Sequence, residues 1–359
     1  MSQRKKILLG MSGGVDSSVA AHLLQRQGYD VTGVFLCLGG LLGSGHDTTG
    51  CCSPQDAADA RRVAELLGID LYVLNAGDAF GGVVDYFVDE YVSGRTPNPC
   101  VHCNARIKFA RLLQRANELG ADFIATGHYA RVVDGAICRA AAKDQSYALF
   151  ELPRAMLTRV LLPIGEVSDK AEIRRIALSL GLPVADKPDS QEICFVSGDY
   201  VELLRQRRPE AFRPGEIADS AGHVLGRHEG VAAFTIGQRR GLGPGIEDAV
   251  HRLYGPVRMF VTKIDPITAR VTIGTKDETF SRRLTASAVN WHIDPPPAGW
   301  EFHGVVQIRY NHAGAPAQVT VLDDGRFQAE FDEPVSAITP GQGAAIYDGP
   351  RLLGGGWIE

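Results

Sequence analysis

Through the first 126 residues the apolar positions come as short unbroken runs, Ile7–Leu9, Val31–Leu38, Leu71–Leu74 and Phe123–Ala125, separated by longer stretches with apolar residues at helical spacing. Unbroken runs are what a parallel strand shows when its sheet is covered on both faces, so these four predict inner strands. The stretches between them predict helices: Ser17 to Gln27, Asp56 to Leu67 behind Pro54 and ahead of Gly68, Val83 to Val92, and Asn104 to Leu119 ahead of Gly120. Proline suits a first helical turn and glycine the residue past the last. Ser93 to Cys103, with Gly94, Pro97 and Pro99, reads as irregular. Strand and helix in alternation predict an α/β fold, a parallel sheet with helices on both faces whose ligands sit at the carboxyl ends of the strands. Ser168–Leu180 is one more helix, stopped by Gly181-Leu182-Pro183, and beyond about Phe195 the rhythm breaks into short segments at Arg213-Pro214-Gly215, Gly241–Gly245 and Asp265-Pro266. From Thr285 the pattern alternates, as in Val305–Arg309, Ala317–Leu322 and Phe327–Phe331, with Asp323-Asp324-Gly325 a tight turn. These are strands of a small barrel. The expected division is an α/β unit at 1–198, a small central unit at 199–278 and a β-barrel at 279–359.

A hydrophobic fraction of 45% and a charged fraction of 22% over 359 residues are those of a globular chain with room for two or three domains. The formal net charge of −5 gives no global sign of a nucleic-acid partner, so any RNA contact must come from local basic clusters such as Arg205–Arg208, Arg239-Arg240 and Arg282-Arg283. No apolar run approaches about 18 residues, and Met1–Lys6 is polar with no signal-peptide core behind it. The expectation is a cytoplasmic protein without a membrane partner. Seven cysteines, an odd number unevenly spaced, fit thiol or metal chemistry in a reducing compartment better than a disulfide scaffold.

The first strand runs into Gly10-Met11-Ser12-Gly13-Gly14-Val15-Asp16-Ser17-Ser18. Glycine permits positive φ and leaves no Cβ to hold a ligand away, so successive N–H groups can point at phosphate oxygens, and the following helix adds its N-terminal dipole. Neither G-x-x-x-x-G-K-[ST] nor G-x-G-x-x-G is present. Taken alone, Ser-Gly-Gly could be an ordinary turn. With Val15 to Ser18 attached, the stretch resembles the pyrophosphate loop of the N-type ATP pyrophosphatases, which cleave ATP between its α and β phosphates. That resemblance implies glycines around pyrophosphate and Asp16 on magnesium.

Cys100 and Cys103 form C-V-H-C in the proline-rich stretch, and Cys194 lies in D-S-Q-E-I-C-F-V. A nucleophilic cysteine must be available as thiolate, and Cys103, just ahead of the helix expected from Asn104, would gain from the helix dipole. Cys194, between Ile193 and Phe195, reads alone as buried packing. Cys37 and Cys138 read as strand filling, and Cys51-Cys52, near His46 and Asp47, as loop residues without two separated pairs for a metal.

T-P-N-P-x-x-x-C-N-x-x-I-K-F at 96–109, A-T-G-H-Y-A-R at 125–131, K-D-Q-S-Y at 143–147, D-S-Q-E-I-C-F at 189–195 and T-I-G-Q-R-R-G-L at 235–242 together resemble the bacterial tRNA-specific 2-thiouridylases, the MnmA family. The likeness covers essentially the whole chain. It implies ATP-dependent sulfur transfer to C2 of the wobble uridine in tRNAs for lysine, glutamate and glutamine. ATP adenylates O2 of the base, Cys194 carries a persulfide from a cysteine desulfurase or sulfur-relay protein, and Cys103 frees sulfide or closes a disulfide with Cys194. ATP would lie on Gly10 to Ser17 with Leu36 and Gly127 at the adenosine. The tRNA contacts would be His128, Lys143, Asp144, Gln145, Arg309, Tyr310 and Gln342, with Asn98, Pro99 and Cys100 facing the target base. Better-known members carry Asp, the general acid/base, where Cys100 stands. Three thiols, Cys100, Cys103 and Cys194, could instead ligate a [4Fe–4S] cluster, and zinc would want a fourth ligand such as His102. Two other classes stay open: an amide-forming ATP pyrophosphatase, which would not need Cys103 with Cys194, and a non-catalytic RNA-binding module.

Overall fold

The computed structural model describes residues 4–38, 53–189, 193–196 and 198–359. Its first sheet is parallel, ordered β3-β2-β1-β4-β7, with β1 (Lys6–Gly10) between β2 (Asp30–Cys37) and β4 (Phe123–Thr126), and β3 (Leu71–Asn75) and β7 (Val160–Leu161) at the edges. Alternate residues of one apolar run serve opposite layers. Leu8, Val34 and Ile124 join Phe109, Leu112 and Ala116 on one face. Ile7, Leu9, Val31 and Phe35 join the helices α1 (Val15–Arg26), α2 (Pro54–Leu67) and α6 (Lys170–Ser179) on the other. Both faces are buried, which is why the strands carry no polar alternation.

Helix ends follow local chemistry. Ser53 caps α2 in a reciprocal box with Asp56, and Gly68 ends it in the left-handed region at φ 64°. Two helices start earlier than their sequence pattern suggests. The helix α3 (Gly77–Val92) begins six residues before Val83, led by the Asn75 side chain accepting from Gly77 N, because burial of Phe80 and Val83 outweighs the low helix propensity of Gly81-Gly82. The helix expected from Asn104 instead opens at Pro99: α4 (Pro99–His102) runs into a π-helical stretch, Cys103–Phe109, and then α5 (Ala110–Leu119), closed by Gly120 at φ 64°. Pro99 at the first helical position lacks only an N–H that would have no partner there.

The middle of the chain forms a four-stranded sheet, β10-β11-β8-β9, from β8 (Gly215–Asp219), β9 (Val224–His228), β10 (Phe260–Asp265) and β11 (Arg270–Gly274), covered by α8 (Ile246–Tyr254). Helix α7 (Tyr200–Arg207) precedes it and packs near α3 through Leu204. The last part is a closed barrel in the order β12-β15-β14-β13-β16-β17, with β12 pairing back onto β17. Its strands are β12 (Phe280–Trp291), β13 (Glu301–Gln307), β14 (Ala315–Val321), β15 (Phe327–Ser336), β16 (Gly343–Asp348) and β17 (Arg351–Ile358). The hairpin β5 (Ala130–Val133) and β6 (Ala136–Arg139) extends this sheet by pairing Cys138 with Arg351. Cys37 and Cys138 thus sit in strands, as their setting implied.

The seam between barrel and parallel sheet is built on Phe150. A Cβ at Gly343 or Gly355 would come within 2.5 or 2.8 Å of its ring, so only glycine lets these strands close over it. Its carbonyl accepts from Asn290 Nδ2 at 2.7 Å and His292 Nε2 at 2.8 Å. Burial holds the His292 imidazole neutral, its pKa pushed down to about 4. Phe150→Ala leaves a ring-sized void at a fully buried position. It should lower unfolding free energy by about 3–5 kcal/mol, read from urea denaturation.

Candidate active site

A pocket of about 290 Å³ opens at the carboxyl ends of β1, β2 and β4, lined by Gly10 to Ser12, Gly14 to Ser17, Leu36, Leu38, Thr126, Gly127 and His128. Gly13 turns the chain at φ 71°, and a Cβ there would lie 2.2 Å from the Asp56 carbonyl oxygen, so the loop is pressed onto the start of α2. Gly127 is equally constrained, since a Cβ would meet Ser17 N at 2.7 Å. The hydroxyls of Ser17 and Ser18 donate to the Gly14 carbonyl at 3.2 and 2.8 Å, fixing the first turn of α1. The first-turn N–H groups of a helix have no intrahelical acceptor and face the loop, which makes an anion cradle.

Charges rim this cradle in two linked groups. Asp16 receives Lys170 Nζ at 2.6 and 2.7 Å and the Tyr129 hydroxyl at 2.6 Å. Lys170 also reaches Asp189 at 2.8 Å, and Asp189 pairs with Lys143. Lys143 is held at φ 49°, a left-handed conformation costing a non-glycine residue about 1 kcal/mol. In the second group Lys187 Nζ donates to the Gly13 carbonyl at 2.9 Å and to Asp56 and Asp59 at 2.6 Å each. Burial favours the neutral amine of Lys187, but the two carboxylates outweigh it and raise its pKa. For Asp189, burial raises the pKa while Lys143 and Lys170 lower it, and the net effect is down. Tyr129 is pushed well above its ordinary value by burial and then by Asp16.

The thiols lie across one wall of this pocket. Cys103 is 5% exposed and packs with Leu38, Phe80, Val83, Val84 and Ile107; Cys194 and Phe195 pack against the same cluster. Leu36 and Leu38 belong both to this cluster and to the pocket lining. Lys108, in the same π-helical stretch as Cys103, lines the pocket too. Because the helix opens at Pro99, Cys103 stands in its second turn rather than ahead of it, and the exposed Cys100 takes the first-turn position. The dipole argument made for Cys103 therefore applies to Cys100. His102 points elsewhere: its Nδ1 lies 2.7 Å from Glu151 Oε2 and its ring stacks on Trp357 at 4.5 Å. Among the described residues no three His, Cys, Asp or Glu side chains are grouped to hold a metal ion. Cys51, Cys52, His46 and Asp47 lie outside the described residues.

Residues 5–198 match the family described as tRNA methyl transferase HUP domain, 202–275 its PRC-barrel domain and 281–358 the aminomethyltransferase beta-barrel domain. Relatives named tRNA-specific 2-thiouridylase MnmA align along almost the whole chain. The Carboxydothermus hydrogenoformans protein is 46% identical, covering 99% of this chain and 98% of its own. The Geobacter metallireducens protein is 45% identical over 99% and 97%, and the Rhodopirellula baltica protein 44% over 98% and 96%. The chain belongs to the tRNA-specific 2-thiouridylase (MnmA) family. Solved structures overlay only loosely, as with a 4-thiouridine synthetase bound to RNA and ATP at 20% identity and a TM-score of 0.37, covering 58% of this chain and 51% of that one.

For this 2-thiouridylase family member, the residues expected to touch RNA fall into separate places. His128, Lys143 and Gln145 line the pocket. Asp144 instead braces its own loop, accepting from Ala140 N and Ser146 N at 3.0 Å each and from Arg139 at 3.1 Å. Arg309 donates to the Ser336 and Ala337 carbonyls at 3.2 Å, whereas its neighbour Tyr310 is exposed. Gln342 reaches from the barrel to the Thr96 and Pro97 carbonyls, just ahead of Asn98, buried Pro99 and exposed Cys100. Lys170, Lys187, Asp189, Asp56, Asp59 and Tyr129 were missed by the sequence reading. The signal was partly present, because Lys187-Pro188 abuts the Cys194 block, Asp189 opens that block and Tyr129 lies inside A-T-G-H-Y-A-R.

No helix among the described residues is long and apolar enough to cross a membrane. His128 hydrogen-bonds Thr126 Oγ1 through Nδ1 at 2.8 Å, and burial, then Lys108, pushes its pKa down to about 3. The unfolded imidazole gains its proton near pH 6.5 while the folded one stays neutral, so stability is complete above that pH and falls below it. Wild type should lose about 2 kcal/mol between pH 7 and pH 5 from this residue. His128→Asn should lack that share when urea midpoints are compared at the two pH values.

Proposed function

We propose that this chain is an ATP-dependent tRNA-uridine 2-sulfurtransferase that thiolates C2 of the wobble uridine in tRNAs for lysine, glutamate and glutamine. One observation carries the reading: the anion-binding pocket and the cluster holding Cys103 and Cys194 share the wall formed by Leu36 and Leu38. A carbonyl oxygen cannot leave unassisted, so activation and sulfur delivery must meet at one carbon, and a shared wall is what such chemistry needs.

The roles follow from placement. Gly10 to Ser17 cradle the phosphates of ATP, with Leu36 and Gly127 against the adenosine. Uridine O2 attacks the α-phosphorus, the α–β bond breaks, and pyrophosphate departs; Lys170 and Lys143 supply positive charge at the rim. The residues present do not cage a cation by themselves. Magnesium would be held chiefly by phosphate oxygens with Asp16 as protein ligand, once Lys170 yields an oxygen, and would supply charge neutralisation. Cys194 receives the terminal sulfur of a persulfide from a cysteine desulfurase or relay protein. Attack by the Cys103 thiolate on the inner sulfur forms a Cys103–Cys194 disulfide and frees sulfide, which adds to C2 and expels AMP; an external thiol then reduces the disulfide. Cys100, exposed at the head of α4, takes the place of the family's aspartate and faces the base together with Asn98 and Pro99. Of the remaining expected RNA contacts, His128, Lys143, Gln145 and Tyr310 are open to a ligand, and Asp144, Arg309 and Gln342 act by bracing the surfaces around them. The parts at 1–198, 199–278 and 279–359 would serve as catalytic, central and tRNA-contacting domains in the cytoplasm.

Release of labelled AMP and pyrophosphate from ATP should depend on tRNA. Turnover without RNA but with ammonia and a carboxylate would favour an amide-forming enzyme instead. Cys194→Ser should abolish 2-thiouridine, measured by nucleoside mass spectrometry, while tRNA affinity stays within about twofold of wild type. Asp16→Ala should cut AMP formation by about 100-fold or more, since it removes the carboxylate that would hold the charge-neutralising magnesium and that positions Lys170.

A further inference from the structure

Three arginine clusters stand out in the sequence, and the fold sorts them. Arg205 pairs with Glu229, Arg207 with Asp85 at 3.7 Å and Arg208 with Asp89 at 3.1 Å. Arg282 pairs with Glu333 at 3.6 Å and Arg283 with Glu330 at 2.9 Å. Arg239 and Arg240 are exposed, and among the described residues neither side chain has an ion-pair or hydrogen-bond partner. They occupy the block T-I-G-Q-R-R-G-L, to which the reaction chemistry assigns no role.

The loop that carries them is locked from within. Gln238 Oε1 accepts from Thr235 N and its Nε2 donates to the Arg240 carbonyl, both at 3.0 Å. Gly237 N donates to the Val261 carbonyl at 2.8 Å, and Val261 N returns a bond to the Gln238 carbonyl at 2.9 Å. Gly237 and Gly241 take φ values of 85° and 70°, open to glycine and strained for other residues. The loop also lies where all three parts of the chain meet. Thr235 hydrogen-bonds Tyr91 of α3 and Tyr200 of α7, and a Cβ at Gly237 would lie 2.8 Å from the Cβ of Ala337, whose carbonyl Arg309 holds.

We propose that Arg239 and Arg240 form a contact with the phosphate backbone of the RNA substrate, independent of its sequence. Two adjacent guanidinium groups, neither buried nor neutralised, repel each other and add nothing to packing. Held rigidly at the surface they match successive phosphates of a polyanion and fix its register without reading bases. The other two clusters have their charge cancelled within the protein and serve as built-in controls. The inference rests on the tRNA-sulfurtransferase reading and deepens it.

The test is binding of an unmodified tRNA transcript by fluorescence anisotropy from 50 to 300 mM KCl, with the full chain. Losing two phosphate contacts should make the slope of log affinity against log salt shallower by about 1.4–1.8, and weaken binding at 100 mM roughly tenfold. R239A/R240A should show this change with ATP affinity and melting temperature unaltered, R239K/R240K should retain most of the slope, and R282A/R283A should match wild type. An unchanged slope in R239A/R240A overturns the proposal. So does wild-type tRNA binding combined with slower sulfur uptake from a persulfide donor, which would make the pair a protein contact. Wild-type protein that binds no tRNA would remove the functional reading itself, a result distinct from either.

Discussion

The pocket depends on charge compensation around Lys187. One ammonium satisfies the Gly13 carbonyl of the phosphate loop and two carboxylates of α2, and so ties the loop, the second helix and the segment leading to Cys194 to one atom. Half-buried carboxylates without such a partner would have to be protonated or solvated, and either would loosen the loop. With it, Asp56 can cap α2 and still sit against the glycine whose missing side chain makes room. The second set, Asp16, Lys170, Asp189 and Lys143, repeats the device at the pocket mouth with fewer restraints, and there an arriving phosphate can compete for the ammonium groups.

Much of the fold was legible because its signals are local. Four unbroken apolar runs gave four parallel strands, and Pro54, Gly68 and Gly120 marked helix ends that the structure keeps. What escaped was of two kinds. The early start of α3 runs against glycine propensity and exists because the buried residues beyond it need a helix to stand on, while the start at Pro99 was hidden by the neighbouring Gly94 and Pro97, which read as irregular chain. The lysines of the pocket were invisible for another reason, since Asp16 and Lys170 are 154 positions apart and nothing local marks either as the other's partner. The barrel residues show the same limit. Arg309 looks like a free cation in the sequence and is spent on two carbonyls in the fold.

The α/β half and the barrel are joined by shape more than by charge. The Phe150 ring sits where two barrel strands carry glycine, and the strand β6 is shared between the two parts. Loose tethering would let the barrel drift relative to the pocket. Here Gln342 reaches the carbonyls of the chain just ahead of Asn98, so the start of α4 is positioned by the barrel itself.

The π-helical stretch Cys103–Phe109 has a consequence for how this chain can vary. A π turn holds one more residue than an α turn, so its helix has a length that cannot be read from sequence periodicity. Deleting a single residue there would restore regular winding while the helix on either side kept its azimuth, because the π turn is what absorbs the extra residue. The same deletion in the regular winding of α5 would instead turn everything ahead of it, Cys100 and Cys103 included, by about 100°. The π stretch is therefore the place where this helix can lose a residue without changing the angle between thiol and pocket.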